Sequence, residues 1–372
     1  MNLAGIIFSN LYDERFESLT SHRTVASLPF GGRYRFVDFV LSNMSHAGIE
    51  HIGIITKQNY RSLMEHLGAC AEWDLHRKGG GVQILAPFAT GIPYVYRGKL
   101  EALYSAFAFL EGIPEEYVLL SDSTILCNIP YETALAAHRK SGRDVTVITT
   151  PVEAGSASRY ELLLTVSGEG IEALTVDASP TQDGTEASMG MYILSKELLL
   201  SAVRSSVSRG LHHLERDFIQ EGFLRGELSL HPFSFRGRVL RNDSVASYFA
   251  NNLALIGDEA LREDLFRSER PIYTKARDEV PTYYSESAEV NDSLLADGCH
   301  IEGQLFHSVL FRDVTVGRGS VVRGSLIMQG ARIGEDCYIE NVILDKNVTV
   351  GNGVRLIGAP ATPYIVKEGE RI

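Results

Sequence analysis

The feature that most constrains how this 372-residue chain can fold is a repeat near its C-terminus. Val316, Ile333 and Val350 are spaced by 17 residues, and so are Val322, Ile339 and Leu356. Val309, Leu326 and Ile343 keep the same spacing, as do Val314, Ala331 and Val348. Within a turn, Val316 to Val322 and Ile333 to Ile339 are six-residue steps. Three six-residue faces to a turn, each with one apolar residue facing inward, describe a left-handed β-helix of hexapeptide repeats. A glycine follows the apolar residue at Gly317, Gly334 and Gly351, as suits a tight corner with positive φ. A solenoid this short exposes its end rungs, so it is expected to pack on the first domain or on a neighbouring subunit.

The preceding 250 or so residues carry a different pattern. Short apolar runs at Leu3–Phe8, His51–Thr56, Tyr117–Leu120 and Asp144–Thr149 read as buried strands. Helical periodicity marks Tyr34–Met44, Gln58–Leu67, Glu101–Leu110 and Tyr131–His138. Such alternation predicts an α/β, Rossmann-like domain with a mostly parallel sheet, whose ligands sit beyond the carboxyl ends of the strands. Leu162–Val166 and Ile171–Val176 read as an antiparallel insertion, and Ser188–Leu194 as a return to the core. Helices are expected near Lys196–Ser205, His213–Glu221 and Val245–Ile256. The charged stretch with Pro271 and Pro281 reads as a linker. The expected organisation is therefore residues 1–256, a linker at 257–287, and the β-helix at 288–372.

Composition narrows the function classes. The formal net charge of −12 argues against a nucleic-acid or anionic-membrane surface. No stretch is apolar over the roughly 18 residues of a membrane span, and residues 1–10 lack the basic start of a secretory leader. Cys70, Cys127, Cys299 and Cys337 have no metal-like spacing and read as free thiols in a reducing cytoplasm.

Arg23 to Asn43 read RTVASLPFGGRYRFVDFVLSN. This run resembles the sugar-1-phosphate nucleotidyltransferases, most closely the bacterial glucose-1-phosphate adenylyltransferases and, among them, the GlgD-type regulatory subunits. The resemblance covers nearly the whole chain, with a nucleotidyltransferase domain of the GT-A-like kind followed by a β-helix. It implies a reaction in which glucose 1-phosphate attacks the α-phosphorus of ATP to give ADP-glucose and pyrophosphate. Such catalysis rests on positioning and on charge neutralisation by Mg²⁺ and basic side chains.

Each of those requirements can be sought in the sequence. The family's GGxGxRL loop wraps the triphosphate with backbone N–H groups. Here only Gly5 remains, followed by Ile6 and Ile7, whose bulk would obstruct a phosphate, and Arg15 lies displaced downstream. The lysine of the family's RxKPAVxFGG pattern falls on Val25, with Ala26 in place of proline. Of the two metal-binding aspartates, one corresponds to Asp122 or a neighbouring position. The other falls on Arg241, where a cation would repel Mg²⁺. Asp243, two residues on, is the residual candidate. The lysine that grips the sugar phosphate in the family's EKP motif is missing from Ala178-Ser179-Pro180. Ser188 and Tyr192, and Tyr96 and Gly98 of a segment matching YRGTA, survive as substrate-pocket remnants that also make good core and turn residues.

Basic residues are kept elsewhere. Family members bind anionic effectors near the FGG motif, and His22, Arg23, Arg33 and Arg35 fall on or near those positions. The resemblance thus implies a catalytically degenerate, regulatory subunit of bacterial glycogen biosynthesis. It would work in a mixed oligomer, a tetramer, with a catalytic adenylyltransferase that uses Mg²⁺ and ATP, and would respond to a phosphorylated small molecule. The alternative is an active nucleotidyltransferase with displaced Mg²⁺ ligands Asp122 and Asp243. An acyltransferase built on the β-helix would need a longer solenoid, and His300 and His307 precede its regular rungs.

Overall fold

The computed structural model describes residues 2–76, 79–86, 96–167 and 170–372. Its residues cluster into two compact units, one made of Met1–Leu11, Phe39–Tyr60 and Gly68–Val239. The other comprises Tyr12–Asp38, Arg61–Leu67 and Leu240–Ile372. The units are thus interleaved along the chain, unlike the linear partition read from motif boundaries.

The first unit is built on a 9-stranded sheet. Its central strand, Leu3–Phe8, is buried along its whole length and pairs in parallel with His51–Ile55 on one side and Tyr117–Asp122 on the other. Gly81–Leu85 extends the parallel set. Thr185–Ser195 then runs antiparallel to Tyr117–Asp122, to Val145–Pro151 and to Tyr160–Ser167. Tyr160–Ser167 and Gly170–Ala178 form the expected antiparallel hairpin. Most strands therefore share one direction, with Thr185–Ser195 and Gly170–Ala178 opposed. The run predicted as one helix at Glu101–Leu110 is two, Lys99–Ser105 and Phe107–Gly112, which meet at Ala106.

In the second unit, three 5-stranded parallel sheets form the sides of the left-handed β-helix. The expected columns are in register: Val316 pairs with Ile333 and Ile333 with Val350. Val322, Ile339 and Leu356 align on a second face, and Val309, Leu326 and Ile343 on the third. Val314, Ala331 and Val348 fill the interior with the first two columns, beside Cys299 and Cys337, but from the third face it is Leu310, Ile327 and Leu344, one residue beyond the expected Val309 column, that join this cluster. The prism starts earlier than the 17-residue period suggests, because Tyr284 pairs with Ile301 and Ile301 with Val316, a step of only 15 residues. Strand Tyr283–Tyr284 and helix Glu259–Leu265 thus occupy the stretch read as linker.

The corner glycines are needed for a reason other than the one expected. Gly317, Gly334 and Gly351 do not adopt positive φ. A Cβ on Gly317 would collide with the Gly334 carbonyl, and one on Gly334 with the backbone of the next turn. Close approach of successive turns, not left-handed backbone, selects glycine there. All four cysteines are free and buried. Among the described residues, no helix is long and apolar enough to cross a membrane.

Candidate functional site

The carboxyl ends of Leu3–Phe8 and Tyr117–Asp122 lie where an open α/β sheet usually holds its ligand. Beyond Phe8 the chain does not form a phosphate-wrapping loop. Ile6 and Ile7 stay within the strand, fully buried. Ser9 and Asn10 then tie the chain down: the Ser9 hydroxyl donates to the Ile55 carbonyl at 2.9 Å. The Asn10 amide donates to the Gln58 carbonyl, and its oxygen accepts from the Lys57 N–H. Gly5 is held by packing, since a Cβ there would fall 2.7 Å from Met44 Sδ.

The YRGTA-like segment places Lys99 at the start of helix Lys99–Ser105, and Lys99 dominates this region. Its ammonium is 2.6 Å from Glu215 Oε1, in the π-helical turn Leu214–Gln220, and 2.8 Å from Glu161 Oε2, on strand Tyr160–Ser167. Lys99 is only 4% exposed and Glu215 9%, so their ion pair is made out of water, while Glu161 reaches in from a half-buried position. The Tyr192 hydroxyl donates to the same Glu215 oxygen at 3.0 Å, and Ser188 Oγ donates to Tyr192 at 3.1 Å. Burial raises the pKa of Glu215, and Glu161 adds to the rise while Lys99 opposes it. The predicted remnants Ser188 and Tyr192 therefore meet, but in an internal network centred on a lysine that spacing alone did not identify as buried. Gly98 keeps its place because a Cβ would collide with the His212 carbonyl, which accepts from Leu100 N–H. Tyr96 packs against the core.

Asp122 ends its strand inside the protein. One carboxylate oxygen accepts from both the backbone N–H and the hydroxyl of Thr124, at 2.8 and 2.9 Å. Burial pushes its pKa up, against the attraction of Lys99. Asp243 belongs to the second unit, just after the short strand Leu240–Arg241. It lies 3.3 Å from the Arg241 guanidinium, and its Oδ1 accepts from Ser247. Asp243, paired with an arginine, does not fit Mg²⁺, which binds carboxylates and water in near-octahedral order, and Asp122 already spends one oxygen on Thr124.

The cations near the FGG motif divide between two places. Residues 28–36 form a tight hairpin in which Pro29–Phe30 pairs with Tyr34–Arg35. The turn needs Gly31 and Gly32, with φ of 56° and 80°. The hairpin delivers Arg33 and Arg35 to an open cleft that Lys275, Arg277, Arg312 and Lys346 also line. Arg35 is braced by the Ser62 carbonyl at 2.7 Å and Lys275 by the Glu65 carbonyl at 2.6 Å. Arg312 is 8% exposed and its Nε has no hydrogen-bond partner. Among the described residues, no carboxylate lies within ion-pair distance of Arg33, Arg277, Arg312 or Lys346. Burial pulls Arg35 down to about 10, with Asp38 opposing and Arg23 and Arg277 adding to the fall.

Arg23 is drawn out of this set. It is buried and donates to Asp345 at 2.8 Å and to Glu368 at 2.7 Å. His22 is exposed and lines a separate cleft with Glu17, Tyr364 and Lys367. The motif-centred reading missed Arg312 and Lys346. With Gln329 they form a column at the solenoid's own 17-residue spacing, two residues beyond the paired Leu310, Ile327 and Leu344.

Residues 4–235 match the model of the nucleotidyl transferase family, and residues 280–362 that of the GlmU-like C-terminal hexapeptide domain. The glycogen biosynthesis protein GlgD of Bacillus subtilis is 32% identical over 367 residues, 99% of this chain and 96% of the relative. This chain belongs to the glucose-1-phosphate adenylyltransferase family of nucleotidyl transferases. The glucose-1-phosphate adenylyltransferase of Bacillus cytotoxicus is 33% identical over 378 residues, covering 100% of this chain and 99% of the relative. That of Bacillus anthracis is 33% identical over 346 residues. Full-length similarity to both kinds of relative places the chain in a family of glycogen-biosynthesis nucleotidyltransferases and leaves its own role to be argued from the site.

Proposed function

We propose that this chain is a catalytically degenerate, regulatory subunit of glucose-1-phosphate adenylyltransferase, acting in a mixed oligomer with a catalytic subunit that supplies the Mg²⁺ and ATP chemistry. The observation that carries this reading is the Lys99–Glu215–Glu161 network. A buried ammonium neutralised by two carboxylates cannot also grip a phosphate without leaving one of them unpaired. The same region has a buried strand and side-chain ties in place of a phosphate loop. An active enzyme with Asp122 and Asp243 as displaced ligands would need the Asp243 carboxylate for the metal, and Arg241 already pairs with it.

The basic cleft is the second half of the proposal. Six cations with few counter-charges, on the rim of a small cavity, suit a phosphorylated small molecule bound by charge-assisted hydrogen bonds. In such a subunit, effector binding would act through a difference in affinity between two states of the oligomer. The test is pyrophosphate release by the purified chain with ATP, glucose 1-phosphate and Mg²⁺. The expected result is none above the blank, and turnover at about 1–10³ s⁻¹, the usual enzyme range, would overturn it.

A further inference from the structure

Of the six cations around the basic cleft, four are arginines, which remain protonated at any physiological pH. Lys346 differs in kind, because an ammonium can yield its proton to its surroundings. It sits half-buried in the turn after strand Val342–Leu344 and lines the cleft together with Arg33, Arg35 and Arg312. Asp345, its neighbour in the chain, and Glu368 are already engaged by Arg23. Its neighbour one solenoid turn back is the neutral Gln329, and the next is Arg312, so no counter-charge stands above it in that column.

We propose that an anion entering this cleft is captured together with a proton, which Lys346 takes up, so that occupancy of the cleft falls as pH rises above neutrality. The inference rests on the reading of the cleft as an anion site and adds to it a link to pH. The electrostatics agree with the geometry: burial first, and then Arg35 and Arg23, pull Lys346 down to about 7, against Glu368 and Asp345. Above that pH the empty cleft holds Lys346 largely neutral. A dianion replaces the missing counter-charge, favours the ammonium and raises its pKa in the bound state. Between the empty and occupied pKa values, the dissociation constant then weakens by up to about tenfold per pH unit.

The other titratable groups around the cleft act differently. His66 Nε2 donates to the Asp38 carboxylate at 2.5 Å, and burial lowers its pKa. Burial raises the Tyr34 phenol, which stays protonated near neutrality. Lys275 is braced by the Glu65 carbonyl. Glu65 faces Arg35, while Glu279 and Asp297 face Arg312. Of these, His66 is the rival proton acceptor, and the experiment must separate it from Lys346.

Sulfate is the probe, because it stays a dianion across this range whereas phosphate esters titrate near pH 6. Calorimetric titration of the full chain with sulfate at pH 7.5, at constant ionic strength and in two buffers of different ionisation enthalpy, reads the protons bound. The expected uptake is about 0.7 proton per sulfate for a group with a pKa near 7, with affinity falling between pH 7 and 8.5. Lys346→Arg is expected to bind sulfate with no proton uptake and a flat pH profile. Binding by the unsubstituted chain without proton uptake overturns the proposal and leaves the anion site standing. Uptake that persists in Lys346→Arg assigns the proton to His66 and also overturns it. Failure of sulfate to bind at all overturns the anion site itself, and the proposal with it.

Discussion

Arg23 and Asp345 form a buried ion pair, with Nη1 2.8 Å from Oδ1 and the two residues 2% and 1% exposed. A second donor of the same guanidinium reaches Glu368 at 2.7 Å. Burial alone would lower the Arg23 pKa, but the two carboxylates raise it. The pair therefore ties residue 23 to the solenoid from inside. Arg23→Ala leaves a buried carboxylate uncompensated and is expected to lower stability by about 3–5 kcal/mol. Chemical denaturation with a two-state fit checks this, and a loss within about 0.5 kcal/mol, as for a surface residue, would contradict it.

Lys99 should behave as a structural cation. Lys99→Met strands Glu215 and Glu161 and is expected to lower stability by about 3–5 kcal/mol. Adding Glu215→Gln should restore a good part of that loss, since the cost arises from the unpaired charge. The double-mutant cycle over the two positions measures the coupling, and strict additivity would contradict the pairing.

Asp122 should be dispensable for stability. Its folded pKa is raised by burial above its unfolded value, so the folded state binds more protons than the unfolded one between the two. Its contribution to stability therefore falls as pH rises from about 3.9, the ordinary aspartate value, through the folded pKa, and stays unfavourable at neutrality. Asp122→Asn is expected to leave the melting temperature at pH 7 unchanged or higher. Millimolar Mg²⁺ should shift neither the parent nor the variant, and a Mg²⁺-dependent rise lost in the variant would restore Asp122 as a metal ligand.

The exposed, unpaired arginines of the cleft should matter for binding alone. Arg33→Ala and Arg277→Ala each remove one charge-assisted hydrogen bond, worth about 1.5–3 kcal/mol. Sulfate affinity measured by calorimetry should fall by about tenfold or more in each, with no change in melting temperature. Equal affinity in both variants would place the anion elsewhere.

How much of this was legible in the sequence depended on the distance over which each interaction acts. The 17-residue columns are local, so the solenoid showed in the sequence. Its first rungs did not, because Ile301 to Val316 spans 15 residues and breaks the period. Arg33 and Arg35 could be read beside the FGG turn. Arg312 and Lys346 carried a signal in the solenoid's own period, outside the motif that drew attention. Lys99 finds its partners 62 and 116 residues away, and Arg23 finds its own more than 300 away. Without those pairings a buried cation looks like a surface one. Sequence alone therefore groups Arg23 with the anion candidates and gives no sign that Lys99 is a buried ion-pair centre.

The central claim is tested most directly by co-expressing this chain with a catalytic glucose-1-phosphate adenylyltransferase subunit. Native mass and steady-state kinetics of the co-purified material are compared with those of each chain alone. The account predicts a mixed oligomer whose kcat/KM or effector response differs from that of the catalytic subunit, with no turnover by this chain alone. Two separate homogeneous species, with the catalytic subunit's kinetics unchanged, would contradict it.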